Sequence, residues 1–213
     1  MSRTEVSVRR TRVAVGRRLR AFLRGSGPTP EALRRVDFYR TFPIGPDDVV
    51  FLGDSITEGG EWHELFPGVT TRNRGITEET SADLVARLDT VVTGQPRTLF
   101  IQVGINDIVF GGSDDDFLAN YRIMLERCRA ESPGTDVIVQ SILPAGGELG
   151  ERIAGVNARL QRLTDELGVT FVSLREAFAG PDGAMPPEVS PDDIHLTGEG
   201  YRRWQEVLAP YVS

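Results

Sequence analysis

A serine and a histidine that lie far apart in the chain are the residues best suited to catalysis. Ser55 follows an apolar run and precedes a helical pattern, and His195 lies near the C-terminus with Asp192 three residues before it. A serine hydroxyl is a weak nucleophile that needs an adjacent base, and that base needs a third group to hold its tautomer. The chain has only two histidines, so few residues could act as the base. The pattern therefore indicates a Ser–His–Asp site, in which Asp193 is the competing carboxylate.

Ser55 also has a simpler structural interpretation. The segment Ser55-Ile56-Thr57-Glu58 fits a helix capping box, in which the serine would only cap the helix. A helix start nevertheless suits a nucleophile, because free N–H groups there can stabilise the negative charge of the transition state. The other histidine, His63, falls in a short helical pattern, so we expect it near the pocket rim and not as the base.

Alternating strand and helix patterns predict how these residues are positioned. Apolar runs typical of buried strands occupy residues 49–52, 98–103, 137–140 and 169–172, with a weaker fifth strand at 69–73. Helical patterns occupy residues 29–39, 84–92, 117–128, 153–167 and 201–208, with predicted capping boxes at Thr80/Asp83 and Ser113/Asp116. This alternation predicts a parallel sheet that is covered on both faces and binds ligands at the C-terminal ends of its strands.

Two further polar positions follow strands at the same edge of the predicted sheet. Gly75 follows the second strand along the chain, and Asn106 follows the third. A glycine N–H and an asparagine side-chain amide are donors that an oxyanion hole requires. Taken singly, Gly75 could be a turn glycine and Asn106 a cap or loop residue. Their common edge with Ser55 is the structural reason to group the three residues.

Taken together, these segments resemble the SGNH hydrolases, also called GDSL esterases and lipases. The resemblance covers roughly residues 47–211 and is carried by Gly53-Asp54-Ser55, Asn73-Arg74-Gly75, Gly104-Ile105-Asn106-Asp107 and Asp192-Asp193-Ile194-His195-Leu196-Thr197. It implies a flavodoxin-like, three-layer α/β/α fold of about five parallel strands. It also implies Ser55 as nucleophile, His195 as base and Asp192 as orienting acid. The implied oxyanion hole consists of the Ser55 N–H, the Gly75 N–H and the Asn106 side chain.

The sequence around these motifs looks closest to acetylhydrolase-like bacterial members of the family, which act on small acyl esters. One departure lies after Gly75, where many relatives have a second glycine and an aspartate and this chain has Glu78-Glu79. We expect these two carboxylates to lie near the pocket edge and to disfavour anionic or fatty substrates.

Charge divides the chain into a basic arm and an acidic body. Residues 1–40 contain eleven arginines and three acids, whereas the remaining residues contain thirteen arginines and 28 acids. We expect residues 1–28 to form an N-terminal arm and linker, and residues 29–213 to form the hydrolase domain. The acidic body argues against nucleic acid as the main partner. The arm is either a solvated tail or a docking element for an acidic partner or an anionic surface.

Cysteine and hydropathy patterns bear on the compartment. The single cysteine, Cys128, rules out an intramolecular disulfide and falls on the apolar stripe of a predicted helix, so we expect it in the core. No apolar run approaches the roughly 20 residues that a transmembrane helix requires. Arginines interrupt the arm, which makes it a poor secretory signal, and we expect a cytoplasmic protein.

These observations predict a metal-independent serine ester hydrolase with no cofactor. Ser55 would attack a small acyl ester, acetyl esters above all, and an acyl-enzyme would then be released by water. An acyltransferase that uses the same Ser–His–Asp site is the alternative, because water and an acceptor alcohol compete for one intermediate. A non-catalytic binding domain is disfavoured, since it has no physical reason to contain the complete set of site residues.

Overall fold

The central element is a parallel sheet of five strands. The computed structural model describes residues 27–212, so most of the predicted arm lies outside the described residues. The strands lie in the order β2-β1-β3-β4-β5, and every neighbouring pair is parallel. Their bounds are Val49–Gly53 (β1), Thr71–Gly75 (β2), Thr98–Gln102 (β3), Asp136–Gln140 (β4) and Thr170–Val172 (β5). This order places the reversal of strand order between β1 and β3, where ligands bind in open sheets of this kind.

Helices and short helical turns connect the strands. Their bounds are Pro30–Thr41 (α1), Ser55–Glu58 (α2), Trp62–Leu65 (α3), Ser81–Ala86 (α4), Asp89–Val92 (α5), Ile105–Val109 (α6), Asp114–Glu131 (α7), Gly147–Leu167 (α8), Arg175–Phe178 (α9) and Gly198–Leu208 (α10), followed by a 3₁₀ turn at Ala209–Tyr211. Helices α4, α7 and α8 pack in one group, and α3, α9 and α10 pack in another. The result is the predicted three-layer α/β/α arrangement.

Burial explains why the pattern of apolar residues predicted the strands. All residues of β1 and β3 are buried, because helices cover both faces of the central sheet, and such strands read as continuous apolar runs. The polar strand β2 lies at the edge and begins two residues later than predicted. Cys128 is buried in the core, as expected.

The predicted helix at 84–92 is wrong as a single element. The structure breaks it into α4 and α5, and the break falls at Arg87, whose backbone leaves the helical region at φ −116°. The guanidinium of Arg87 turns into the interior, where it bonds the carbonyl oxygens of Gly53 and Arg74. The capping box between Thr80 and Asp83 at the start of α4 is confirmed.

The described residues also bear on membrane association. Between residues 27 and 212, no helix is both long enough and apolar enough to cross a bilayer.

Candidate active site

Ser55 is the first residue of α2, directly beyond the end of β1. The residue that caps this helix is Asp54, whose Oδ1 accepts a hydrogen bond from the Ile56 N–H at 3.0 Å. The alternative in which Ser55 is the N-cap is therefore wrong. Because Asp54 performs the capping, the Ser55 hydroxyl is available for other contacts. The Ser55 N–H lies in the first helical turn, where N–H groups have no partner within the helix.

The end of β1 and the start of α2 approach each other closely. A Cβ atom on Gly53 would lie 2.1 Å from Thr57 Oγ1 and 2.2 Å from the carbonyl oxygen of Gln102. Any larger residue would push α2 away from the strand edge. The glycine that precedes Asp54 is thus required by packing.

His195 meets Ser55 across the edge of the sheet. The His195 Nε2 atom lies 3.3 Å from Ser55 Oγ, and the His195 Nδ1 atom lies 2.8 Å from Asp192 Oδ2. A carboxylate accepts only, so this contact places the ring proton on Nδ1 and leaves the Nε2 lone pair toward the serine. This is the arrangement that a general base needs.

Asp192 is held in place by its own loop. Its Oδ1 accepts hydrogen bonds from the backbone N–H groups of Ile194, at 3.0 Å, and His195, at 2.8 Å. Partial burial by itself would raise the pKa of Asp192, but the hydrogen bonds from the His195 side chain and backbone outweigh it and lower that pKa. The carboxylate is therefore ionised at neutral pH and can stabilise an imidazolium.

The two competing residues take other places. Asp193 is the next residue along the loop, with a backbone φ of 63°, and it is Asp192 that contacts the His195 ring. His63 lies on α3 with its side chain 70% exposed and within 4.0 Å of Glu61 and Glu64. The structure brings only one of the two histidines to Ser55.

Asn106 lies in the first turn of α6, beyond the end of β3. Its Nδ2 donates one hydrogen bond to the carbonyl oxygen of Glu79 at 2.9 Å. The neighbouring Asp107 accepts from the backbone N–H and the hydroxyl of Ser81, at 3.0 and 2.5 Å. Burial raises the pKa of Asp107. These bonds join the start of α6 to the segment before α4 and fix the direction of the Asn106 amide.

Gly75 has a structural reason for being glycine. A Cβ at this position would lie 2.2 Å from the backbone nitrogen of Glu58. The Gly75 N–H donates to Asn73 Oδ1 at 2.9 Å, so it is already bonded in this structure. The Asn73 amide nitrogen in turn lies 2.9–3.0 Å from three carbonyl oxygens in and after α2. The predicted role of Gly75 as an oxyanion donor would require its N–H to leave Asn73.

The expectation that Glu78 and Glu79 are two carboxylates at the pocket edge is wrong for Glu79. Its side chain is only 4% exposed and forms an ion pair with Arg87 at 2.6 Å. A carboxylate so placed is neutralised by its partner and faces no substrate. Glu78 is half-buried and adopts a left-handed φ of 66°.

The sequence patterns assigned no individual role to two residues near the site, Asp54 and Tyr201. Burial raises the pKa of the fully buried Asp54 to about 7, and the carboxylates of Asp107 and Glu79 act in the same direction. Tyr201, on α10, donates from its hydroxyl to the carbonyl oxygen of Ile56 at 2.7 Å. The preference of aspartate for helix N-caps could have indicated Asp54. No local pattern indicates the contact of Tyr201, which spans 145 positions.

Within the part of the chain that the structure describes, no group of three or more His, Cys, Asp or Glu side chains could hold a metal ion.

Comparisons with known proteins identify the family and the fold. The sequence model of the GDSL-like lipase/acylhydrolase family matches residues 51–203. A solved structure from Streptococcus pneumonia is 26% identical with a TM-score of 0.79, covering 86% of this chain and 93% of its own. A GDSL-like lipase from Bacteroides thetaiotaomicron is 25% identical with a TM-score of 0.72, covering 85% and 96%. The acetylxylan esterase Axe2 from Geobacillus stearothermophilus shares the fold at 19% identity and a TM-score of 0.66, covering 80% and 96%. No curated protein matches the sequence.

Proposed function

The chain belongs to the GDSL-like lipase/acylhydrolase family and is a carboxylic ester hydrolase, and we propose that Ser55, His195 and Asp192 carry out the reaction. The observation that carries this proposal is the continuous contact from Ser55 Oγ through the His195 ring to Asp192, with separations of 3.3 and 2.8 Å. Distances near 3 Å between nucleophile, base and orienting group are what nucleophilic catalysis requires.

The proposed reaction has two halves. Ser55 Oγ attacks the ester carbonyl while His195 Nε2 takes the hydroxyl proton, and Asp192 stabilises the imidazolium that forms. The tetrahedral intermediate expels the alcohol, which receives the proton from His195, and an acyl-enzyme remains on Ser55. A water molecule then attacks the acyl carbonyl and gives its proton to the same nitrogen. Collapse of the second intermediate releases the acid and returns the proton to Ser55.

The negative oxygen of each intermediate needs hydrogen-bond donors. The Ser55 N–H, at the start of α2, and the second amide hydrogen of Asn106 are the proposed donors, because neither is used by the contacts described above. The Gly75 N–H remains a proposed third donor, which would exchange Asn73 Oδ1 for the oxyanion.

We propose short acyl esters, acetyl esters above all, as substrates. The side chains of His195 and Asp192 are 47% and 40% exposed, so the site is open to solvent. A long acyl chain would need an apolar cavity beside the nucleophile. One cavity of about 510 Å³ is lined by Thr98, Asp136 and Thr170, which begin β3, β4 and β5, so this cavity lies at the edge of the sheet opposite Ser55. The acetylxylan esterase among the structural neighbours is consistent with a small acyl group.

A panel of p-nitrophenyl esters of increasing chain length tests this function. We expect the highest kcat/KM for acetate, and a loss of about 10⁴–10⁶ in kcat for Ser55→Ala, because the triad acts as a unit. Adding acceptor alcohols separates hydrolysis from acyl transfer, since a transferase would form the new ester in place of the free acid. Mass analysis of rapidly quenched enzyme should find the acyl group on the peptide that contains Ser55.

The two histidines provide a matched pair of control variants. We expect His195→Asn to lose nearly all activity and His63→Asn to retain wild-type turnover, because His195 contacts Ser55 whereas the exposed side chain of His63 lies near Glu61 and Glu64. Wild-type turnover in either Ser55→Ala or His195→Asn would refute the proposed mechanism.

A further inference from the structure

The guanidinium of Arg87 lies in the interior, at the point where two strand ends meet. Its side chain is 3% exposed. It donates to the carbonyl oxygens of Gly53, at 3.3 Å, and Arg74, at 2.8 Å. These carbonyls belong to the last residue of β1 and the penultimate residue of β2. One side chain thus bonds both strands just before the chain enters the candidate site.

Arg87 also forms an ion pair with Glu79. Arg87 Nε lies 2.7 Å from Glu79 Oε2, and a second guanidinium nitrogen lies 2.6 Å from the same oxygen. A buried ion pair is weak evidence for stability, because desolvation of two charges offsets their attraction. The geometric consequence of the pair is clearer, because two nitrogens of one planar guanidinium hold the same carboxylate oxygen. The position of Glu79 Oε2 beside Arg87 is therefore fixed.

The backbone of Glu79 connects this pair to the proposed oxyanion hole. Its carbonyl oxygen accepts one hydrogen of the Asn106 amide at 2.9 Å. The amide group is planar, so fixing one N–H direction also fixes the second, which is the proposed donor to the oxyanion. A donor that is misplaced by as little as 1 Å loses much of its catalytic effect.

We propose that Arg87 and Glu79 are positioning residues that orient Asn106 for oxyanion stabilisation. The inference rests on the proposed function, in which Asn106 is an oxyanion donor. Neither residue touches substrate. Arg87 fixes the side chain of Glu79, the Glu79 carbonyl fixes the Asn106 amide, and that amide stabilises the intermediate.

A double-mutant cycle between Glu79 and Asn106 tests this proposal. Asn106→Ala should lower kcat by about 10²–10³, the cost of one oxyanion donor. Glu79→Gln, which keeps the side-chain shape and weakens the ion pair, should lower kcat by about 10-fold with KM changed less than 2-fold. In the Asn106→Ala background, Glu79→Gln should cause no further loss, because the group that it positions is absent. Glu131→Gln, which weakens the ion pair with Arg127 at the C-terminal end of α7, is the matched control and should retain kcat.

The outcomes separate the inference from the function on which it rests. Equal losses from Glu79→Gln with and without Asn106 would show a general structural effect and overturn the positioning role. An Asn106→Ala variant with wild-type kcat would overturn both the role of Asn106 and this inference, while Ser55→Ala would still test the nucleophile. Should Glu79→Gln fail to fold, Glu79→Asp keeps the charge and shortens the reach to Arg87. The same cycle with Glu79→Asp then decides the question.

Discussion

The bond between Asp192 and His195 offers the sharpest test of the triad, because the adjacent Asp193 supplies a matched control. Asp192→Asn keeps an oxygen that can accept the backbone N–H groups of Ile194 and His195, so the loop should persist. The substitution removes the negative charge that faces the His195 ring at 2.8 Å. Only the electrostatic and tautomeric contributions of Asp192 are then lost.

The size of the effect follows from the geometry. A hydrogen bond to a charged group contributes about 1.5–3 kcal/mol. The two side chains are 40% and 47% exposed, and solvent screening places this pair toward the lower end of that range. Because about 1.4 kcal/mol corresponds to a tenfold change in rate, kcat should fall at least about 10-fold. If the new amide turns its nitrogen to the ring, the tautomer reverses and the loss should approach about 10⁴.

The assay is steady-state hydrolysis of p-nitrophenyl acetate, with circular dichroism to verify folding. Asp193→Asn makes the same change of charge one residue away, and asparagine tolerates the left-handed backbone that Asp193 adopts. We expect this control to retain kcat within about 3-fold, because the carboxylate that contacts the His195 ring is that of Asp192. Wild-type kcat in Asp192→Asn, or an equal loss in both variants, would refute the assignment of Asp192 as the orienting acid.

Three further predictions concern the supports of the site and the arm. Tyr201→Phe removes the hydroxyl that donates to the Ile56 carbonyl oxygen, so the free energy of unfolding should fall by about 1 kcal/mol. The melting temperature and kcat should fall with it, and an unchanged melting curve would contradict this prediction. Burial raises the pKa of Asp54 from 3.8 to about 7, so the folded state holds a proton that the unfolded state releases between those values. The stability of the wild type relative to that of Asp54→Asn should therefore decline by about a few kcal/mol as pH rises from about 4 to 7, and melts of both proteins across that range measure this difference. Deletion of residues 1–26 should leave turnover of small esters nearly unchanged, and a large loss of activity would show that the arm is part of the enzyme.

The fold was predictable because its signals are local. Buried parallel strands such as β1 and β3 form continuous apolar runs, and the capping residues of α4 lie within a few positions of the helix. The predicted bounds of the edge strand β2 were two residues too early, because its polar sequence, Thr71–Gly75, gives no apolar run. The break between α4 and α5 was missed because its cause is the inward turn of Arg87 toward distant carbonyls.

The same distinction between local signals and contacts between distant residues applies to the candidate site. Residue types predicted Ser55 and His195 as nucleophile and base but left Asp192 and Asp193 as competing carboxylates. The contact of Asp192 with the His195 ring is a property of the folded loop. Glu79 was misjudged because its sequence neighbours suggest an exposed acid, whereas Arg87, eight positions away, neutralises it in the interior. Pairings of this kind depend on three-dimensional packing, and residue spacing does not encode them.

The placement of Ser55 is itself a property of tertiary structure. The helix α2 has only four residues, far below the length at which an isolated helix is stable. It is held instead by the Asp54 cap, by the Asn73 amide on its C-terminal carbonyls, and by the Tyr201 hydroxyl on Ile56. Tyr201 lies on α10, the helix that follows His195, so the same contact connects the segment that contains His195 to α2. This is why Gly53-Asp54-Ser55 alone is a weak motif: the geometry of the nucleophile exists only when the segments that contain Asn73 and Tyr201 are also present.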